Sequence, residues 1–224
     1  MKKYLAHVYA VAWKDILLEV RTREIIIAIS IFCLLSIIIF NFALGSVPKA
    51  ATLVAPGILW VSLAFGGIIG LIRIFALESE ADAIDAILLS PIGRDALFFG
   101  KVLSTFVFMF FSGSILLPIT TVLFDIDFQI LPFVLVATLA ILGLSVVGTL
   151  FSAIAVNTRA REVMLPVLYL PVIVPIIIAS VECTSILFNG GGMPAIIGWI
   201  GFLAVFDAVY LVIAPFCFSI IISD

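Results

Sequence analysis

Two carboxylate settings in this sequence bear on chemistry. Asp207 stands alone in Ala204-Val205-Phe206-Asp207-Ala208-Val209-Tyr210, inside a long apolar run. A carboxylate at membrane depth costs roughly 2.5–3.5 kcal/mol on insertion scales, so it must face protein or water. Two roles fit: a pathway lining or gate coupled to Arg73 or polar backbone, or a structural hydrogen bond to Tyr210 or to a Ser/Thr of a neighbouring helix. The second setting is Glu78–Arg94, ESEADAIDAILLSPIGR. Glu78, Glu80, Asp82 and Asp85 concentrate acid at its start, where a helix dipole favours negative charge. Ile84, Ile87 and Leu88 make one apolar face at helical spacing. Ser90-Pro91 stops the helix, because the residue before proline avoids the α region, and Gly93 permits a turn. A short helix, acidic at one end and apolar on one side, fits a groove in a soluble partner or packs on its own bundle.

Other chemistry is excluded by residue type. The nearest approach to a phosphate-binding loop, Gly93…Gly100-Lys101-Val102, has six intervening residues instead of four and ends in Val. ATP, if it drives this protein, is bound by a partner. Heme iron needs His, Met, Cys or Tyr aimed into an enclosed pocket. The only histidine, His7, falls on an amphipathic surface segment, and Met109 and Met164 read as core fillers. No heme site is therefore assigned to this chain. Cys33, Cys183 and Cys217 are far apart and form no CxxC, which fits small packing residues better than metal ligands. No paired-histidine metal motif or nucleophile elbow occurs.

The elements that must carry these groups are set by composition. Of 224 residues, 65% are hydrophobic and 11% charged, with mean hydropathy +1.42. That leaves too little polar surface to coat a soluble globule, and the net charge of −3 does not suit nucleic acid. The expected fold is an all-α polytopic membrane protein with six transmembrane helices, at about 25–44, 53–75, 102–124, 131–156, 163–181 and 196–222. The second is expected to be entered through Pro56, and Pro132 falls in the first turn of the fourth. Residues 25–224 form one transmembrane domain, preceded by a segment of residues 1–24. No cleavable leader is expected. Basic residues set the orientation. Lys2, Lys3, Lys14, Arg21, Arg23, Arg73, Arg94, Lys101, Arg159 and Arg161 fall on one side, against Lys49 on the other. Both termini are expected in the cytoplasm.

In the N-terminal segment, Leu5, Val8, Ala12, Trp13, Ile16, Leu17 and Val20 recur near helical period. Lys14, Asp15, Glu19, Arg21 and Arg23 fill the other face. This predicts a helix along the inner membrane surface with Trp13 at headgroup level, serving as an anchor or a docking element for a partner. Pro166, Pro171 and Pro175 fall in the fifth span and each removes an N–H. That helix is expected to be kinked or broken, as a hinge for switching or as a passive bend. Gly66-xxx-Gly70 predicts a close-packing face. The Gly-rich stretch Asn189–Pro194 reads as a flexible outer loop.

Taken together, several stretches resemble the heme exporter protein B family (CcmB-type). They are Trp13-Lys14-Asp15 with Arg21-Thr22-Arg23-Glu24, Ala55–Trp60, Phe75–Glu80, Ala83–Pro91, Leu97-Phe98-Phe99-Gly100-Lys101, Gly148–Phe151, Asn157–Glu162 and Leu165-Pro166 through Pro175. The resemblance runs from about residue 13 to 180. It implies an ABC-2-type permease half of the cytochrome c maturation transporter in the cell inner membrane. Two copies per complex would pair with a cytoplasmic ABC ATPase, beside a heme-handling membrane subunit and a heme chaperone. Heme would be the transported or handled ligand, and ATP would be bound by the partner. Under this reading Glu78, Glu80, Asp82, Ile84, Asp85, Ile87, Leu88, Ser90 and Pro91 couple to the ATPase. Trp13, Lys14, Asp15, Arg21, Arg23 and Glu24 belong to the docking helix. Asp207 and the three prolines are candidates for a gate. An ABC-2 exporter of lipid, glycan or drug, and a non-transporting scaffold for heme-handling subunits, are the alternatives.

Overall fold

Runs of Leu, Ile, Val, Phe and Ala uninterrupted by charge must satisfy their backbone internally once placed in lipid, and only a helix does so within one segment. A computed structural model bears this out. It describes residues 2–44, 48–80, 93–124, 126, 129–156 and 161–221. Among the described residues all regular structure is α-helical: α1 Lys2–Thr22, α2 Glu24–Leu44, α3 Pro48–Glu80, α4 Arg94–Phe124, α5 Ile130–Val156, α6 Arg161–Phe188 and α7 Met193–Ile221. Helices α2 to α7 are each long and apolar enough to cross a bilayer, giving six candidate spans. The chain is a polytopic, multi-pass membrane protein.

Burial separates the inner helices from the outer ones. Over its most apolar 18 residues α3 is 72% buried, against 17% for α7 and 22% for α2. Helix α3 packs against α2, α4, α5 and α6, and α5 packs against α3, α4, α6 and α7. Small residues set the closest approaches. A Cβ on Gly66 would stand 2.9 Å from Cys33 Sγ, and one on Gly70 would stand 2.8 Å from Ile29 Cδ1. The Gly66-xxx-Gly70 face therefore receives α2 of the same chain. Buried polar tips find partners across helices. Trp60 Nε1 donates to Thr184 Oγ1 at 2.8 Å, joining α3 to α6, and Tyr169 Oη donates to the Leu144 carbonyl at 3.2 Å, joining α6 to α5.

Several boundaries differ from expectation. Helix α3 begins at Pro48, so Pro56 lies inside it instead of at its entrance. Helix α4 begins at Arg94, about two turns before the expected start, because Ala96, Leu97, Phe98 and Lys101 are already buried against neighbours. Pro166, Pro171 and Pro175 do not break α6, which runs as one helix from Arg161 to Phe188. Its C-terminus is set by Gly190, at φ +80. Gly191 N–H donates to Ile186 O and Gly190 N–H to Leu187 O, a glycine cap that terminates the helix at a defined residue. The first part of the Gly-rich stretch is thus an ordered stop.

Candidate functional site

The polar side chains converge at the end of the bundle that carries α1. Helix α1 lies along the first part of α4. The stripe facing the bundle is Val8, Val11, Ala12, Asp15, Ile16 and Glu19, and Asp15 and Glu19 are only 8% and 2% exposed. Leu5, Tyr9, Trp13, Leu17 and Val20 face outward instead. Tyr9 and Trp13 stack there with centroids 5.8 Å apart. The sequence expectation that Asp15 and Glu19 lie on the outward polar face is therefore corrected. Both acidic side chains of α1 are buried because α4 supplies partners for one and α2 for the other.

Lys101 Nζ lies 2.9 Å from Asp15 Oδ2, with Lys101 1% exposed. Ser104 Oγ shares its proton between the same oxygen at 3.1 Å and the Lys101 carbonyl at 3.0 Å, and Lys14 Nζ stands 3.3 Å from Asp15 Oδ1. Each heteroatom of the buried pair is thus engaged. Lys101 does not belong to a cytoplasmic connection, as its charge suggested, but to α4. Backbone approach makes the pair reachable. A Cβ on Gly100 would stand 2.6 Å from Val11 Cβ and 3.1 Å from the Val8 carbonyl. Removing one member of such a pair strands a buried charge and costs about 3–5 kcal/mol.

Three further contacts tie this end together. Arg73, near the end of α3, pairs with Glu24 at the start of α2. Arg94 Nη1 donates to the Ser219 carbonyl at 3.1 Å, joining the start of α4 to the end of α7. Tyr4 lies close enough to Asp95 that the phenol's pKa is raised, by burial first and by that carboxylate second. Both ends of the described chain therefore meet the start of α4. Between α1 and α2, Arg23 adopts φ 57, its N–H donates to Glu19 O at 2.6 Å, and Glu19 Oε1 accepts the Ile26 N–H at 2.8 Å. A carboxylate thereby satisfies an otherwise unpaired donor at the start of α2. Arg21 is exposed.

The acidic segment is only partly within view. Glu78 and Glu80 are in the last turn of α3. They sit at the end of a helix that favours cations, so the N-terminal dipole argument does not apply to them. Asp82, Ile84, Asp85, Ile87, Leu88, Ser90 and Pro91 lie outside the described residues, as does the stretch 157–160.

Asp207 is 2% exposed, and neither carboxyl oxygen has a hydrogen-bond partner among the described residues. It enters a notch in α5, where a Cβ on Gly143 would stand 2.5 Å from Oδ1 and 2.9 Å from Ile176 Cδ1 of α6. Among the described residues no hydrogen bond reaches it from Tyr210, Arg73 or a Ser/Thr of a neighbouring helix. Tyr210 stacks on Phe206 at 4.6 Å, and Arg73 pairs with Glu24. Pro166, Pro171 and Pro175 lie on α6, one of the helices that α7 packs against. An apolar cavity of about 50 Å³ lies between α3, α4 and α5, lined by Trp60, Leu63, Phe110, Phe133 and Ile141. It is far below the roughly 300–1,000 Å³ of small-molecule sites.

Sequence reasoning missed the Asp15–Lys101–Ser104 cluster and the Glu19 contact. A signal was present. Val8, Ala12, Asp15 and Glu19 fall at i, i+4, i+7 and i+11, one helical stripe. A lysine seven residues into an apolar helix must pair with something.

The family model described as CcmB protein matches residues 6–223, well beyond the stretch that carries the sequence resemblance. Among curated proteins, the chain is 30% identical over 191 residues to heme exporter protein B of Paracoccus denitrificans, covering 83% of this chain and 84% of that one. It is 29% identical over 175 residues to heme exporter protein B of Haemophilus influenzae, covering 75% and 77%. The protein of the same name from Rhodobacter capsulatus is 29% identical over 154 residues, covering 67% and 70%.

Proposed function

The chain belongs to the CcmB protein family, and we propose that it is the membrane permease subunit of an ATP-driven complex for cytochrome c maturation. In this reading a separate cytoplasmic ABC ATPase binds ATP and engages the connection between α3 and α4. A heme-handling membrane subunit and a heme chaperone complete the complex, two permease copies pair within it, and heme is the ligand exported or loaded. The protein sits in the inner membrane with both termini in the cytoplasm.

The observation that carries the reading is the meeting of elements at one end. At this end α3 is linked to α2 by Arg73–Glu24 and α4 to α7 by Arg94–Ser219, with α1 packed on the start of α4. A load applied to the 81–92 connection reaches α3 and α4 at once, and through these contacts reaches α2 and α7. The basic residues support the orientation. Lys101 leaves the count, since it is buried in an ion pair, but Arg21, Arg23, Arg73 and Arg94 all belong to this end. The names of the relatives support heme as the ligand.

Charge reversal at Asp85, or proline at Ile87, is the test. Each variant is expected to insert and accumulate but to lose copurification with the ATPase. Undiminished ATPase recovery would remove Glu78–Arg94 from the coupling role.

A further inference from the structure

Helix α1 has an unusual mechanical setting. It packs chiefly on α4 and only lightly on α2, although it precedes α2 directly. Its outward face of Leu5, Tyr9, Trp13 and Leu17 is exposed. Its inward face is fixed to α4 in two independent ways. The Gly100–Val11 approach leaves no room for α1 to roll. Asp15 receives Lys101 and Ser104 on one oxygen, which sets its register along α4. A buried ion pair is seldom retained for stability, because apolar replacements of similar volume serve as well. Its distinctive property is directional: it defines one register and one rotation. Lys101 is about two turns from Gly93, where α4 leaves the 81–92 connection. On the other side, α1 turns into α2 at Arg23, in left-handed conformation, with Glu19 Oε1 accepting the Ile26 N–H across the turn.

We infer that Asp15, Lys101 and Ser104 form an ionic clamp that makes α1 and the first part of α4 one moving body, hinged against α2 at Arg23. The clamp rests on the proposed ATPase coupling for its driving force and adds a second output to it. Displacement of the 81–92 connection moves α1 along the membrane surface as well as moving α4 within the bundle. Asp15, Lys101 and Ser104 are positioning residues.

Distances between nitroxide labels decide the matter in the complex with its ATPase, with Cys217 replaced by Ser. Leu5, Leu103 and Ile31 are all exposed and serve as label sites on α1, α4 and α2. The Leu5–Leu103 distance is expected to be the same in ADP-bound and ATP-trapped states, while the Leu5–Ile31 distance changes. A Leu5–Leu103 distance that changes with nucleotide, or a Leu5–Ile31 distance that does not, would overturn the clamp. Asp15→Asn is expected to broaden the Leu5–Leu103 distribution and to lower cytochrome c maturation about tenfold. The double variant Asp15→Lys, Lys101→Asp is expected to recover both. If the single variant fails to accumulate, the double variant still decides: recovery of accumulation together with maturation supports the clamp, and any lesser recovery overturns it. Should no ATPase copurify, the coupling reading has failed by itself. The clamp is then judged by whether Asp15→Asn releases α1 from α4 in the permease alone.

Discussion

Asp207 brings two carboxyl oxygens into a helix crossing that offers them no donor among the described residues. Packing alone does not favour this, since an apolar side chain of the same shape would avoid the desolvation penalty of roughly 1–3 kcal/mol. If a role in movement offsets that penalty, the charge of Asp207 matters and not only its shape. Asp207→Asn keeps the shape and removes the charge, so it is expected to leave the assembled complex intact and to lower maturation. Wild-type maturation in that variant would remove Asp207 from the mechanism. Gly143→Ala acts through space instead. The added methyl would meet Asp207 Oδ1 at 2.5 Å and Ile176 Cδ1 at 2.9 Å. Either the side chains or α7 must give way, at a cost of about 1–3 kcal/mol in unfolding free energy. Unchanged thermal stability of Gly143→Ala would mean that α5 and α7 are looser than the contact implies. At this scale the sequence was legible in part. A lone Asp in an apolar run announces that it is buried. Its surroundings are set by helices far away in the chain, and no local pattern encodes that Gly143 makes room for it. Lys101 was misplaced for the same reason, since a lysine near a helix end normally extends to water.

The elements were read well where their signal is length. Six apolar runs became six helices, with α2 and α5 within a residue or two of expectation. Helices α3 and α4 extend beyond their apolar runs, because polar residues that read as loop continue the helix. Helices continue past the apolar stretch when their next turns are covered, as α1 covers the start of α4. The break between α1 and α2 was placed within a residue of Arg23, but its nature was hidden. Arginine adopts φ 57 only at a cost of roughly 1–2 kcal/mol, a strain that glycine lacks. Arg23→Gly is therefore expected to raise stability by about 1 kcal/mol. Arg23→Val should lower it, since a β-branched side chain fits that conformation worst. Equal melting temperatures for the two variants would show that the left-handed turn contributes no strain. The three prolines of α6 teach a related lesson. Their missing donors predicted disruption, yet the helix persists from Arg161 to Phe188, because most of its backbone ladder survives isolated losses when neighbours pack around it.

At the scale of the whole molecule, the bundle leaves the cavity between α3, α4 and α5 at about 50 Å³, and apolar. In this arrangement that cavity takes no porphyrin-sized ligand, and enlarging it means separating α3 from α4 and α5, which meet closely at Gly67–Met109 and at the Trp60–Phe133 ring contact. Such separation exposes buried apolar and polar groups together, so it needs work from outside the chain. The sequence contains no phosphate-binding loop to supply that work. A partner ATPase that only assembles with the bundle would leave its function intact when hydrolysis is disabled; one that drives helix movement would not. With an ATPase subunit that binds ATP but cannot hydrolyse it, the permease is expected to copurify in full while heme-chaperone release and cytochrome c maturation cease. If maturation continues with the inactive ATPase, the permease is a scaffold for heme-handling subunits, and the contacts at the α1 end hold an assembly together instead of transmitting force through it.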